Sequence, residues 1–307
     1  MSGPVAATTA DGSRLHLQHG PIDLIIEAFG HKEDVAEAYR RAWDRFQRVL
    51  DELVEELPTL RRPVGDANGG PSGRVARRMA AAVRPLSDRF ITPMAAVAGA
   101  VADEICAEMT SCGLRRAYVN NGGDIAMFLT PGETFDVGLV PVPHRPSLLG
   151  KATVRARDPV RGVATSGRHG RSFSMGIADA VTVLAADAAT ADAAATLIAN
   201  AVDLPDHPAV HRSPADELDP ESDLGKRLVT VEVGTLTPSA ARRALASGMA
   251  AAERMRSDGL IVAAVLCLDD QVATVGLPSG GDAAAAVTPV LASAADRRFE
   301  SAHLRRA

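Results

Sequence analysis

Residues 162–200 constrain the fold more than any other stretch. They read G-V-A-T-S-G-R-H-G-R-S-F-S-M-G-I-A-D-A-V-T-V-L-A-A-D-A-A-T-A-D-A-A-A-T-L-I-A-N. The unbroken apolar run 180–185 is the pattern of a strand buried on both faces. The alanine-rich segment that follows, about 190–202, has helical composition and almost no bulk on any side. Such a helix packs by close backbone approach, so it belongs in the interior. Its polar exceptions are Asp192 and Thr196, four apart and therefore neighbours on one face. Ahead of the strand lies a loop of hydroxyls, glycines and arginines: Thr165, Ser166, Gly167, Arg168, Gly170, Arg171 and Ser172. That composition suits an anion, because glycine lets backbone N–H groups approach it and arginine adds charge.

The rest of the chain supplies alternating strands and helices. Residues 14–19 and 22–29 read as a strand pair about Gly20-Pro21. Residues 33–57 carry apolar side chains at helical spacing, with a charged opposite face, and Pro58 is expected to end that helix. Residues 61–73 are a loop by composition, and 74–83 a short helix. In T-P-M-A-A-V-A-G-A-V-A-D, Thr92 is a natural cap and Pro93 a natural first-turn residue for a helix running to 109. Strands are expected at 114–120 and 124–129 about an Asn-Gly-Gly turn, the strongest short hairpin signal. Further strands fall at 135–140, 151–157, 228–233, 260–268 and 271–276, and a helix at 238–256. Residues 204–225 read as a Pro/Asp-rich excursion. The fold class implied is α+β with mixed or antiparallel sheet and packed small-residue helices, in a single domain over 1–307. Residues 1–13 and about 281–307 are expected to be peripheral or flexible.

Several function classes are excluded by composition. The formal net charge is −5 with acids and bases interspersed, so there is no basic stripe for nucleic acid. No apolar run reaches the about 18–20 residues of a membrane span. Residues 1–11 lack the regions of a secretory signal, which points to the cytoplasm. Cys106, Cys112 and Cys267 have neither disulfide-framework nor zinc spacing, and Cys106 and Cys112 read as small buried hydrophobes. Asp179, inside an apolar run, needs a partner and is expected to pair with an arginine. His169, His207 and His211 read as surface histidines. Asp192 and Thr196 fit either a hard cation or a packed threonine beside a capping aspartate. Asp192 is expected to lie in a polar pocket with no core partner.

Four segments together, T-P-M-A-A-V-A-G-A-V-A-D, Y-V-N-N-G-G-D-I, A-T-S-G and V-T-V-L-A-A-D-A-A-T-A-D-A-A-A-T, resemble the ApbE family of FAD:protein FMN transferases, most closely a cytoplasmic ApbE-like branch. The resemblance runs from about 14 to 265. It implies that Asp192 and Thr196 bind Mg²⁺ beside an FAD or FMN phosphate and carry the catalysis. It implies that Asn120, Asn121, Gly122, Gly123, Asp124, Thr165, Ser166 and Gly167 line the nucleotide; Arg171, from the loop composition above, is expected on the anion. Gly99 and Asp103 match the early helix, and Thr92 starts it with its dipole towards phosphate. The sequence departs from the pattern at two places. The family's lysine before the helix glycine is Ala98, and its H-x-x-D-P-x-T-G segment has no counterpart.

Three functions therefore compete: a magnesium-dependent FMN or nucleotidyl transferase, a flavin-binding protein with altered chemistry, and an enzyme of sulfur or cofactor assimilation acting on another anion. The expected partner is a small nucleotide or similar anion, with no nucleic acid and no membrane. A homodimer is compatible with the sequence.

Overall fold

The computed structural model describes residues 3–64, 70–139, 150–277 and 287–289. The chain begins with three strands, β1 (Val5–Thr8), β2 (Arg14–His19) and β3 (Ile22–Phe29). The helices α1 (Lys32–Leu60), α2 (Arg74–Val83) and α3 (Val97–Met109) follow. Five strands come next: β4 (Arg116–Asn121), β5 (Asp124–Leu129), β6 (Thr134–Leu139), β7 (Gly150–Arg155) and β8 (Gly162–Ser166). Then come β9 (Ala180–Ala185), α4 (Ala188–Ala201), β10 (Val210–Pro214), α5 (Ala215–Leu218) and β11 (Leu228–Val233). Last are α6 (Pro238–Ser257), β12 (Ala263–Leu268), β13 (Gln271–Val275) and β14 (Val287–Pro289).

The fold is α+β. A nine-stranded sheet has the order β1-β2-β3-β4-β5-β8-β9-β12-β13. Every neighbouring pair in it is antiparallel. Helices pack on one face, where α4 lies against β8, β9, α3 and α6. A three-stranded sheet, β14-β7-β6, covers part of the other face, enclosing Met127, Val154, Val163 and Leu184 in a smaller core. β9 is buried at all six positions, as its unbroken apolar run requires. Alanine makes α4 possible, because larger side chains would hold the sheet and three helices apart. β1 is a sheet edge exposed at every position. The expectation for 281–307 falls, apart from 287–289, outside the described residues.

Four expectations are corrected. Pro58 lies inside α1, which continues to Leu60; so close to the end, its missing N–H forfeits one hydrogen bond without breaking the last turn. Residues 93–96 form a separate 3-10 turn before α3, and Thr92 makes no capping bond. Its hydroxyl donates to Asp223 instead. Thr165 and Ser166 belong to β8 rather than to a loop. The 204–225 excursion contains β10 and α5, and Arg227 just beyond it stacks 3.2 Å from the centroid of the Phe90 ring.

The charged face of α1 also turns inward at one point. Arg45, 5% exposed, donates through Nε to Glu104, which is 0% exposed, at 2.8 Å. Arg74 and Arg78 reach the same carboxylate at 3.0 and 3.2 Å. Replacing Glu104 with leucine would leave Arg45 only Glu52 at the rim. Losing a buried partner costs about 3–5 kcal/mol, so Glu104→Leu should lower the unfolding free energy measured by chemical denaturation by that amount. A loss under about 1 kcal/mol would mean that Arg45 finds water by a small side-chain shift.

Candidate functional site

The site starts at the β4–β5 turn. Asn121 pairs with Asp124 across it, and Gly122 and Gly123 have φ of +67° and +118°. Two consecutive residues at positive φ require glycine and match the twist of a two-residue hairpin. The Asn120 side chain accepts the Gly123 N–H at 2.8 Å and stiffens the tip. Asn121 turns the other way, donating from Nδ2 to the Ala98 carbonyl at 3.1 Å. It fixes the hairpin to the start of α3.

Two carboxylates lie beneath this hairpin, near enough for the charge of Asp124 to act on Asp192. Asp124 Oδ1 accepts the Thr165 N–H at 3.2 Å. Asp192 Oδ2 accepts the Gly99 N–H at 3.0 Å. Each keeps a little surface open, but protein surrounds both so closely that the charged forms are disfavoured. Burial pushes Asp124 up to about 7, against the opposing pull of the Thr165 N–H and then of Arg171. Burial, then the charge of Asp124, raises Asp192 well above the usual carboxylate range. Thr196 lies one turn further along α4, its hydroxyl 3.5 Å from that of Ser166. Thr165 Oγ1 is taken by Thr182 at 2.9 Å. Asp192 therefore has a backbone partner, contrary to the sequence expectation: it caps the start of α3 from a neighbouring helix.

The converse contact also exists. Asp103, on α3, accepts the first-turn N–H groups of α4, Ala188 at 3.0 Å and Ala189 at 2.9 Å. Asp187 caps Thr190 at 2.7 Å. These bonds leave the start of α4 without free donors for a phosphate. They also make Asp103 a structural residue, which burial pushes up to about 6. The two helix starts cross where Gly99 has no side chain: a Cβ there would lie 2.2 Å from the Ala188 carbonyl oxygen.

Outside the hairpin, a cleft of about 200 Å³ is lined by Asp23, Ile25, Asn120, Gly122, Gly123 and Arg171. Arg171 lies against Gly122, and donates to the Pro21 carbonyl at 3.3 Å. Arg168 does not join it. Its guanidinium turns to Asp179 at 2.6 Å, where His169 Nε2 also lies, at 3.1 Å, and the Asp269 N–H donates at 2.6 Å. Asp179 is thus the paired buried aspartate expected from the sequence. Gly167 passes so close to Asp179 that a Cβ would lie 2.4 Å from its carbonyl oxygen.

The structure therefore gathers Asp124, Asp192, Thr196 and Ser166 on the inner side of the hairpin, and Asn120, Gly122, Gly123 and Arg171 on the outer side, while the Thr165 side chain turns to Thr182 on the opposite face of β8. Thr92 is occupied by Asp223, and Asn121 and Asp103 are spent on packing contacts. Asp23 and Ile25 escape sequence reasoning. Their one signal is the strict alternation of β3, which turns both to the face away from the helices. The donors on the inner side are all oxygen, which suits Mg²⁺ and not a soft metal. Among the described residues no three His, Cys, Asp or Glu side chains converge as a metal cage, so phosphate and water would complete the shell. All three cysteines are buried, and burial pushes Cys106 up to about 12 and Cys267 to about 11. No helix among the described residues is long and apolar enough to cross a membrane.

The hairpin, the hydroxyl-bearing strand end and the alanine helix, joined in this chain order, define a protein of the ApbE-like superfamily. The family model described as AbpE bacteria matches residues 6–274, and the chain belongs to that family. A UPF0280 protein of Methanopyrus kandleri is 38% identical over 182 residues, 58% of this chain and 69% of that one. One from Methanothermobacter thermautotrophicus is 41% identical over 117 residues, 38% of this chain and 44% of that one. For that protein and another from Methanosarcina acetivorans, the match spans about half or less of the relative's length. Among solved structures, a variant of the flavin transferase ApbE from Vibrio cholerae aligns at TM-score 0.46 and 14% identity, over 89% of this chain and 97% of that one. The apo flavinyl transferase ApbE of Pseudomonas stutzeri aligns at TM-score 0.43 and 12% identity, over 89% and 93%.

Proposed function

We propose that the chain binds a flavin nucleotide, FAD or FMN, together with Mg²⁺, using Asp124, Asp192 and Thr196 for the cation and Arg171 for phosphate charge. The observation that carries this reading is the nearness of the Asp124 and Asp192 carboxylates, both largely enclosed by protein. Two carboxylates whose charged forms are disfavoured by their surroundings and by each other, beside the Thr196 and Ser166 hydroxyls, gain most from a hard cation. Bound there, Mg²⁺ would offset diphosphate charge and polarise it for phosphoryl or nucleotidyl transfer. The protein's own part is to orient. The Thr165 and Gly99 N–H groups hold the two carboxylates, Asn120 stiffens the hairpin, and Arg171 meets the anion.

Transfer of FMN to a protein acceptor stands outside this reading, because Ala98 replaces the expected lysine and the H-x-x-D-P-x-T-G segment is absent. Binding without transfer is the second reading, favoured by the same residue. Sulfur chemistry has less support, since a reactive cysteine needs an accessible thiolate and these thiols are buried.

Calorimetric titration of FAD with and without Mg²⁺, on wild type and Asp192→Asn, tests the reading. Mg²⁺ should tighten FAD binding at least about tenfold in wild type, as two or more charge-assisted contacts would. It should have little effect on Asp192→Asn, which keeps an acceptor for the Gly99 N–H and so remains folded. Equal affinity in all four combinations would remove the metal and leave Asp192 as a helix cap.

A further inference from the structure

The outer cleft contains two opposite charges that do not meet. Arg171 and Asp23 line the same space of about 200 Å³, yet no ion pair joins them among the described residues. Each is held back by another contact. Arg171 rests on the Pro21 carbonyl at 3.3 Å. Asp23 Oδ1 lies 2.9 Å from His16 Nε2, across the β2–β3 ladder. The backbone reinforces that separation, because Pro21 lies in the β2–β3 turn while Asp23 is already paired in the ladder, opposite Gln18. Ile25 and Asn120 are directly paired across β3 and β4 and floor the space between the charges.

Opposite charges held apart in one cleft suit a ligand with an acceptor-rich end and a donor-rich end. A free anion gains from Arg171 but is repelled by Asp23. A nucleotide has both ends, with phosphate oxygens for the guanidinium and vicinal hydroxyls for the carboxylate. Asp23 has one oxygen committed to His16 and presents the other, which can accept from a hydroxyl. Ile25 offers an apolar surface beside it.

We infer that Asp23, oriented by His16, is a specificity-determining residue that accepts the sugar or ribityl hydroxyls of a nucleotide whose phosphate lies on Arg171. The assignment rests on the nucleotide reading above, but it concerns the polyol and not the flavin ring or the metal. Asp23 therefore selects nucleotides over inorganic phosphates, which Arg171 alone cannot do.

The test uses the full chain and three probes with Mg²⁺ present: inorganic pyrophosphate, ADP and FAD. Wild type, Asp23→Asn, His16→Gln and Arg171→Gln are titrated calorimetrically, with thermal melts as the folding control. A hydrogen bond to a charged acceptor is worth about tenfold to a hundredfold in affinity. Asp23→Asn should weaken ADP and FAD by at least about tenfold while leaving pyrophosphate unchanged or tighter. His16→Gln should follow the same pattern with a smaller factor, since it loosens the carboxylate without removing it. Arg171→Gln should weaken all three. Equal effects of Asp23→Asn on pyrophosphate and nucleotides, or no effect on either, overturn the assignment. ADP binding that depends on Asp23 without any FAD binding would keep the assignment and refute the flavin reading. Failure of wild type to bind all three probes overturns both.

Discussion

Gly99→Ala is expected to cost about 3 kcal/mol or more, or to prevent folding altogether. The added Cβ would lie 2.2 Å from the Ala188 carbonyl oxygen and 2.8 Å from the Ala189 nitrogen. Both are backbone atoms in the first turn of α4, and no rotamer change relieves them. That turn is also tied to α3 by Asp103, so it cannot retreat without losing two hydrogen bonds. Separating the helices would draw the Gly99 N–H away from Asp192 as well. Gly234→Ala is the control: its Cβ would meet nothing closer than 3.6 Å, and its effect should stay within about 0.5 kcal/mol. Chemical denaturation of the three proteins decides the matter. Equal stability of Gly99→Ala and wild type would mean that the two helix starts are not in contact.

The second large effect is on pH dependence. Asp103, Asp124 and Asp192 all hold their protons more tightly folded than unfolded, Asp103 up to about 6 and Asp124 up to about 7. Raised carboxylates stabilise the fold at low pH, where folded and unfolded chains are both protonated. Above the unfolded pKa of about 4, the unfolded chain ionises first. Each such group then removes about 1.4 kcal/mol of stability per pH unit, until its folded pKa is passed. The ligand-free protein should therefore lose several kcal/mol between about pH 4 and pH 7 through these groups. Asp124→Asn should flatten that slope. On the proposed function, saturating Mg²⁺ and FAD should flatten it too, because a cation replaces the protons. Stability that rises through this window in wild type and in Asp124→Asn alike would show that both carboxylates are already ionised and compensated.

What the sequence discloses follows from the range of each interaction. The β4–β5 hairpin is legible because its turn residues dictate their own conformation. α1 and α6 are legible from helical spacing, and β9 and α4 from apolar runs of contrasting bulk. Interactions between distant segments leave no such trace. Glu104 binds Arg45 across 59 residues, and nothing near either residue marks the pair. Thr92 has every local mark of a cap, yet its hydroxyl bonds to Asp223, 131 residues away. β10 is hidden because V-H-R-S-P has little strand propensity and gains its order only from β11. Within the site, the spacing of Asp192 and Thr196 marks them as neighbours on one helix face, and only the surrounding motif singles them out as candidate ligands. The nearness of Asp124 to Asp192 emerges only when hairpin and helix are packed together. Asp23 reads as an ordinary outward residue of an alternating strand until Arg171 arrives from another loop.

The mutual capping of α3 and α4 has a dynamic consequence. Each helix supplies the carboxylate that satisfies the other's first turn, so neither start is complete alone. Local opening of one exposes unpaired donors on the other, and the two turns open as one cooperative unit with a single free energy. Asp192 belongs to that unit and, on the proposed function, to the ligand shell. Closing the helix pair and occupying the site are then linked equilibria, and whatever tightens one must tighten the other by the same factor.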